Sequence, residues 1–201
     1  MPLVSQSELI TAAIAGAVVS FPTDTVPALA VKPEESAKIY QLKQRSLDKP
    51  LILMVASPDE VWPYIEGTEV EIQIWKRVMA QHWPGELTLV LPASSQLPLA
   101  MNPLNDSTLG VRMPNQALAL EILSQTGPLA TTSANRSGEP ALQFLTAIAD
   151  SFPEVLTLNC ANLENIQPIG NGQPSTVAQW INPDWKILRP GRIILALVSS
   201  S

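Results

Sequence analysis

His82 and Cys160 are the only histidine and the only cysteine in this chain of 201 residues. A single histidine excludes a multi-histidine metal site. A single cysteine excludes an internal disulfide and any C-x-x-C pair, and it fits a reducing, cytoplasmic setting. Charge is scarce as well: 15% of the residues are Asp, Glu, Lys or Arg, where a quarter is usual. The balance is acidic, with a formal net charge of −6, so no broad basic face for nucleic acid is expected.

Other absences narrow the chemistry. Neither a P-loop nor a G-x-G-x-x-G run occurs, so a nucleotide would need a different cradle. The carboxylates show no metal-ligand spacing, and no metal site is expected. A Ser-His-Asp triad would have to use His82, which lies on an expected helix beside Trp83 and Pro84. The apolar run AAIAGAVVSF (12–21) is too short to cross a bilayer. No Lys or Arg precedes Lys32, and Glu8 stands where a leader carries positive charge. A first helix and a buried strand account for that run better, and no membrane association is expected.

Hydrophobic residues are plentiful, at 46%, and there are nineteen prolines. The first implies a large core and the second many defined turns. The length suits one domain, 1–201, with no internal boundary. Ser7 can cap a helix to about Ala15, ended by Gly16. Buried strands are expected over 17–21 and 51–56, and a helix opened by Pro33 runs through Lys43. A longer helix covers about 70–82. Strands follow at 87–91 and 109–112, then a helix capped by Asn115 and stopped by Gly127, then a strand at 129–132. Short strands are expected near 155–158, 175–180 and 186–189. This alternation predicts an α/β (mixed α+β) fold: one twisted mixed sheet flanked by helices.

Twelve Lys and Arg can be placed one by one. Seven of them (Lys43, Arg45, Lys49, Arg112, Arg136, Arg189 and Arg192) fall at expected strand ends or in adjoining loops, where ligands bind in open α/β sheets. Converging cations imply an anionic ligand, with phosphates and a carboxylate the best match for Arg and Lys together. Hydroxyls cluster at matching places: Thr23, Thr25, Thr88, Thr131 to Ser133, Ser175 and Thr176. Such groups orient a small polar substrate; each could equally serve a turn or a cap. Asp24 reads as a turn or cap residue that could also reach Mg²⁺. A nearby acid such as Glu121 could pair with Arg112.

In chain order, the segments FPTDTV (21–26), KQRSLDKPL (43–51), PGELTLVL (84–91), LGVRMP (109–114), PLATTSANRSGEPA (128–141), STV (175–177) and LRPG (188–191) resemble the YrdC-like family, the threonylcarbamoyl-AMP synthases of tRNA modification. The resemblance implies a single sheet with an open concave cleft. It implies that L-threonine, bicarbonate and ATP give L-threonylcarbamoyl-AMP, pyrophosphate and water, with Mg²⁺ accompanying ATP and no tightly bound cofactor. A partner transferase would pass the group to tRNA.

Carried over residue by residue, Lys43 and Arg45 would be catalytic. Arg45, Lys49, Thr108, Asn135 and Arg189 would hold ATP; Thr23, Arg112, Ser133 and Ser175 would hold threonine. The chain departs from the pattern where the family continues PTDTVYGLG: here Pro27 replaces an aromatic residue, Ala28 and Ala30 replace glycines, and Met54 stands where a polar side chain is common. Two alternatives stay open at this level. One is a paralogue that binds a nucleotide without this synthesis. The other is a module for double-stranded RNA or tRNA, against which the acidic balance weighs.

Overall fold

The computed structural model describes residues 3–104, 106–160 and 168–195. Ten strands form one mixed sheet, in the spatial order β1-β8-β2-β3-β7-β4-β6-β5-β9-β10. They are β1 (Leu3–Val4), β2 (Val19–Phe21), β3 (Ala28–Val31), β4 (Ile52–Met54), β5 (Leu87–Pro92), β6 (Thr108–Arg112), β7 (Leu129–Ser133), β8 (Leu156–Leu158), β9 (Thr176–Trp180) and β10 (Trp185–Arg189). Five α-helices accompany them: α1 (Gln6–Ile14), α2 (Ala37–Lys43), α3 (Glu69–His82), α4 (Ala117–Thr126) and α5 (Leu145–Ser151).

The expected fold class is thus found, and most boundaries move by one or two residues. Ser5, not Ser7, caps α1. Ser5 and Glu8 form a reciprocal capping box, with Ser5 N donating to Glu8 Oε2 (2.8 Å) and Glu8 N to Ser5 Oγ (3.4 Å). Likewise Gln116 rather than Asn115 caps α4, its Oε1 accepting from Ala119 N at 2.7 Å. The helix expected from Pro33 to Lys43 is two pieces. A single 3₁₀ turn over Pro33–Glu35 gives way to α2 at Ser36, whose hydroxyl donates to the Pro33 carbonyl (2.7 Å). Strands β1 and β3 and helix α5 were not expected.

Three packed regions cover the sheet; the smallest sets Leu145 and Ile148 of α5 with Leu29, and two are larger. Leu9, Ile10 and Ala13 of α1 and Ile122 and Leu123 of α4 bury Val19, Phe21 and Leu158. Elsewhere Trp75 and Met79 of α3 pack with Leu53, Leu89, Val111 and Trp180. An aromatic chain closes that second core: Trp75 meets Trp180 edge-on at 6.2 Å, and Trp180 meets Trp185 at 5.1 Å. With both faces covered, β2 and β3 are buried throughout, which is why they read as runs rather than alternations.

Register then sets up the site. The three neighbours β3, β7 and β4 are antiparallel, placing Ala28 opposite Ser133, and Thr131 between Ala30 and Ile52. Parallel β4 and β6 put Arg112 beside Met54, and parallel β5 and β9 put Thr176 beside Leu87. Polar residues from distant sequence segments therefore meet over the middle of the sheet.

Candidate active site

A cavity of about 360 Å³ opens there, lined by residues of the Thr23–Ala28 segment, the loop after α2, the ends of β4, β6 and β7, the 139–141 loop, and Pro174, Ser175 and Arg189. Three guanidinium groups, Arg45, Arg112 and Arg189, share its wall. Three of the seven cations expected at strand ends or in adjoining loops thus converge here, carried by residues far apart in sequence.

Each arginine is held from behind. Arg45 donates through Nε to the Lys49 carbonyl (2.8 Å) and through Nη2 to the Pro50 carbonyl (3.2 Å). Arg189 donates through Nε to the Ser175 carbonyl (3.0 Å) and through Nη2 to Ser175 Oγ (3.1 Å). Burial lowers the pKa of both, and the neighbouring charge of Arg112 adds to the effect on Arg189. Guanidinium stays cationic at neutral pH all the same.

Arg112 is engaged most fully. Its Nε donates to the Gly85 carbonyl (3.0 Å), Nη1 to Thr25 Oγ1 (2.9 Å) and Nη2 to Asp24 Oδ1 (2.6 Å). The ion pair with Asp24 is buried on both sides. Burial lowers the Arg112 pKa and Asp24 opposes that effect. Asp24 is therefore an ion-pair partner rather than a cap, its Oδ2 buried with no partner among the described residues, and Glu121 is not the partner of Arg112. The pairing spans 88 positions in sequence, so local spacing gave no sign of it. The Thr25 hydroxyl passes the order on. Thr23 Oγ1 donates to the Val26 carbonyl (2.7 Å), so the Thr23–Thr25 hydroxyl contact (3.1 Å) takes its proton from Thr25. Thr23 lines the cavity while its hydroxyl braces the turn.

Lys43 ends α2 and is 2% exposed. It is not among the lining residues; it lies behind them. Its ammonium donates to the Ser133 carbonyl (2.5 Å), Thr132 Oγ1 (3.3 Å) and Asn135 Oδ1 (3.3 Å). Burial, with a smaller contribution from Arg45, pushes its pKa down to about 7. Ser133 Oγ donates to Asn135 Oδ1 (2.5 Å), and Asn135 Nδ2 closes the following loop on the carbonyls of Arg136 and Glu139 (both 2.7 Å). The dense run of polar residues after β7 thus builds a rigid turn over a buried ammonium.

Other expected residues lie elsewhere. Thr108 begins β6, at the opposite end of the strand from Arg112, and does not line the cavity. Lys49 is exposed and contributes its carbonyl to Arg45 rather than its ammonium to the lining. Arg136 sits over the Phe152 ring at 5.5 Å and donates to the Ser151 carbonyl (3.2 Å), so it belongs to packing. Arg192 is exposed and outside the lining. His82 ends α3, away from the cavity. Of the departures from the family pattern, Pro27, Ala28 and Met54 line it and Ala30 does not. Glu139 and Pro174 line it too and were not singled out from sequence. Among the described residues no group of three His, Cys, Asp or Glu could hold a metal ion, and no helix is long and apolar enough to cross a membrane.

The chain is similar to known proteins over most of its length. Threonylcarbamoyl-AMP synthase of Bacillus subtilis (strain 168) is 34% identical over 183 residues, covering 88% of this chain and 50% of that protein. The synthase of Mus musculus is 32% identical over 188 residues, 88% of this chain and 63% of its own. The chain thus spans half to two thirds of the length of these two relatives. That of Klebsiella pneumoniae is 33% identical over 146 residues, 69% of this chain and 76% of its own. Among solved structures, P. abyssi Sua5 complexed with L-threonine matches with a TM-score of 0.79 and 28% identity, over 94% of this chain and 55% of that one. Escherichia coli YciO shares the fold, with a TM-score of 0.77 at 22% identity over 93% of this chain and 89% of its own. The sequence profile Sua5_yciO_yrdC, described as "Telomere recombination", matches residues 12–191, and the chain belongs to that family.

Proposed function

We propose that the protein is a threonylcarbamoyl-AMP synthase, joining L-threonine, bicarbonate and ATP into L-threonylcarbamoyl-AMP with release of pyrophosphate and water. The observation that carries this reading is the set of three arginines, each anchored from behind, around one cavity of about 360 Å³. Bicarbonate and the threonine amine form a carbamate and water. A carbamate oxygen then attacks the α-phosphorus of ATP as the bond to pyrophosphate breaks. Negative charge grows on phosphate oxygens and on the leaving group, and fixed cations stabilise it without a protein nucleophile.

Arg45 and Arg189 hold the phosphates. Arg112 retains one unused N–H on each terminal nitrogen and takes the threonine carboxylate, a planar pairing that suits a guanidinium. Ser133 and Ser175 border the amino acid, Asn135 the nucleotide. Lys43 acts from beneath, fixing the 133–135 turn and adding positive potential close to the transferred phosphoryl group. Mg²⁺ enters as part of the ATP substrate, held by its phosphates. The product then passes to a transferase that modifies tRNA, in the cytoplasm.

The test is incubation of the purified protein with ATP, bicarbonate and L-threonine, with pyrophosphate and the adenylate followed by mass spectrometry. Threonine-dependent adenylate is the expected result, and ATP binding without it overturns the reading. That second outcome would favour a nucleotide-binding paralogue, for which the apolar wall of Pro27, Ala28 and Met54 is the relevant observation.

A further inference from the structure

Glu86 touches the start of β9 and the segment before it. Its backbone carbonyl accepts from Thr176 N (2.9 Å), and its carboxylate Oε1 accepts from Asn171 Nδ2 (2.6 Å). Between those two points lie Pro174 and Ser175, both on the cavity wall. Ser175 in turn receives two bonds from the Arg189 fork and one contact from Thr88, Oγ to Oγ1 at 2.8 Å. The aim of Arg189 therefore depends on where Ser175 sits.

The strap that carries Asn171 is seated on the turn that holds Arg112. Asn171 N donates to the Asp24 carbonyl (3.2 Å) and Gly172 N to the Thr25 carbonyl (3.0 Å). Gly170, at φ +69°, passes so close that a Cβ would strike the Thr25 carbonyl. Asn171 Oδ1 accepts from Gln173 N (2.7 Å), turning the chain toward Pro174. The other carboxylate oxygen of Glu86 is buried with no partner among the described residues. Burial lowers the Arg112 pKa, and the negative charge of Glu86 is a smaller opposing influence. An acid in that position costs desolvation that an apolar side chain would avoid, so stability alone does not account for it.

We propose that Glu86 and Asn171 form a clasp that positions Ser175 and, through it, Arg189 against the phosphates of the ligand; the identity of that ligand rests on the synthase reading, and the clasp itself on the bonds above. Neither residue touches the cavity, so both are positioning residues. Strand pairing between β5 and β9 begins at Leu87 and Thr176; the side-chain bond extends that order five residues further back, to the strap.

The test uses the full chain with Glu86→Ala, Asn171→Ala and the double variant. MgATP affinity by calorimetry falls about tenfold in Glu86→Ala, and the double variant falls no further than Asn171→Ala alone, the mark of a shared bond. In turnover, KM for ATP rises more than kcat falls. Effects that multiply in the double variant, or a lower melting temperature at unchanged affinity and KM, overturn the clasp. Hydrogen exchange over 172–177 supplies a readout without ligand: it quickens in Glu86→Ala, which leaves the Gln173 N to Asn171 Oδ1 bond in place, while exchange in α1 stays as in the parent chain. Unchanged exchange over 172–177 overturns the clasp whatever the activity. Failure of the parent chain to make the adenylate counts against the synthase reading only.

Discussion

Lys43 and Arg112 are both buried cations beside the same cavity, yet they are compensated in opposite ways. On the β6 side, Arg112 has the Asp24 carboxylate at 2.6 Å, so that wall is nearly neutral and what it offers a ligand is geometry. On the β7 side, Lys43 meets three neutral oxygens and, among the described residues, no acid pairs with it. Its field is left uncancelled. The price is a pKa driven down to about 7. One wall shapes and the other attracts, a division suited to a substrate with a planar carboxylate at one end and phosphates at the other.

Removing the acid breaks the comparison most severely. Asp24→Asn leaves the Arg112 charge buried and unpaired, and stability falls by about 3–5 kcal/mol, measured by denaturant unfolding. A loss below about 1 kcal/mol, the value of a surface pair, would mean that water reaches the site and that the two walls are alike.

Arg112→Lys keeps the charge but cannot make the three-way fork to Gly85, Thr25 and Asp24. The threonine requirement rises by roughly 1.5–3 kcal/mol, as for a charged hydrogen bond, while MgATP affinity changes little. Melting temperature also falls, because the fork braces the Thr23–Thr25 turn. A melting loss without a threonine effect would remove Arg112 from the amino-acid site.

The Lys43 wall is sharpened by pH. As pH rises through about 7 the ammonium loses its proton, and MgATP affinity declines, by at most about tenfold per unit. Lys43→Met flattens that dependence. Stability moves the other way. Between the folded value of about 7 and the ordinary 10.5, the unfolded chain holds a proton that the folded chain lacks, so stability rises with pH across that window. A pH-independent affinity in the parent chain would show that the field of Lys43 does not reach the phosphates.

The smallest effect belongs to Thr88→Val. It removes one contact on Ser175 Oγ while Arg189 keeps its own bond, and about 0.5–1.5 kcal/mol of stability is lost with under about threefold change in MgATP affinity. A larger change in affinity would place the support of Ser175 on β5 rather than on the strap.

Much of the fold was legible because long amphipathic or apolar segments between Pro and Gly leave few choices; α3 and α4 are examples. The elements that escaped are those without such marks. β3 is Ala-Leu-Ala-Val, too small in side chain to announce a strand. α5 starts after Phe144, which makes no side-chain capping bond. β1 has two residues and exists only by pairing with β8. Within the site, the convergence of Arg45, Arg112 and Arg189 was legible from motifs taken together. The Asp24 partner of Arg112 was not, nor the position of Lys43 behind the wall, since both depend on strand order. The S-x-x-E box at Ser5 is present in the sequence and is the stronger start signal beside Ser7, because Glu8 can return a bond to the Ser5 backbone.

The backbone carbonyls behind Arg45 have one further consequence, for the speed of capture. A free arginine side chain gives up about 2 kcal/mol of rotational freedom when it is fixed. For Arg45 that ordering takes place when the chain folds, because the Lys49 and Pro50 carbonyls already hold Nε and Nη2. In the proposed synthase an arriving phosphate would meet a stationary fork with Nη1 still to offer, so encounter need not wait for a side-chain search. Its rate is then set by diffusion and by the field at the cavity mouth, and it slows as salt screens that field.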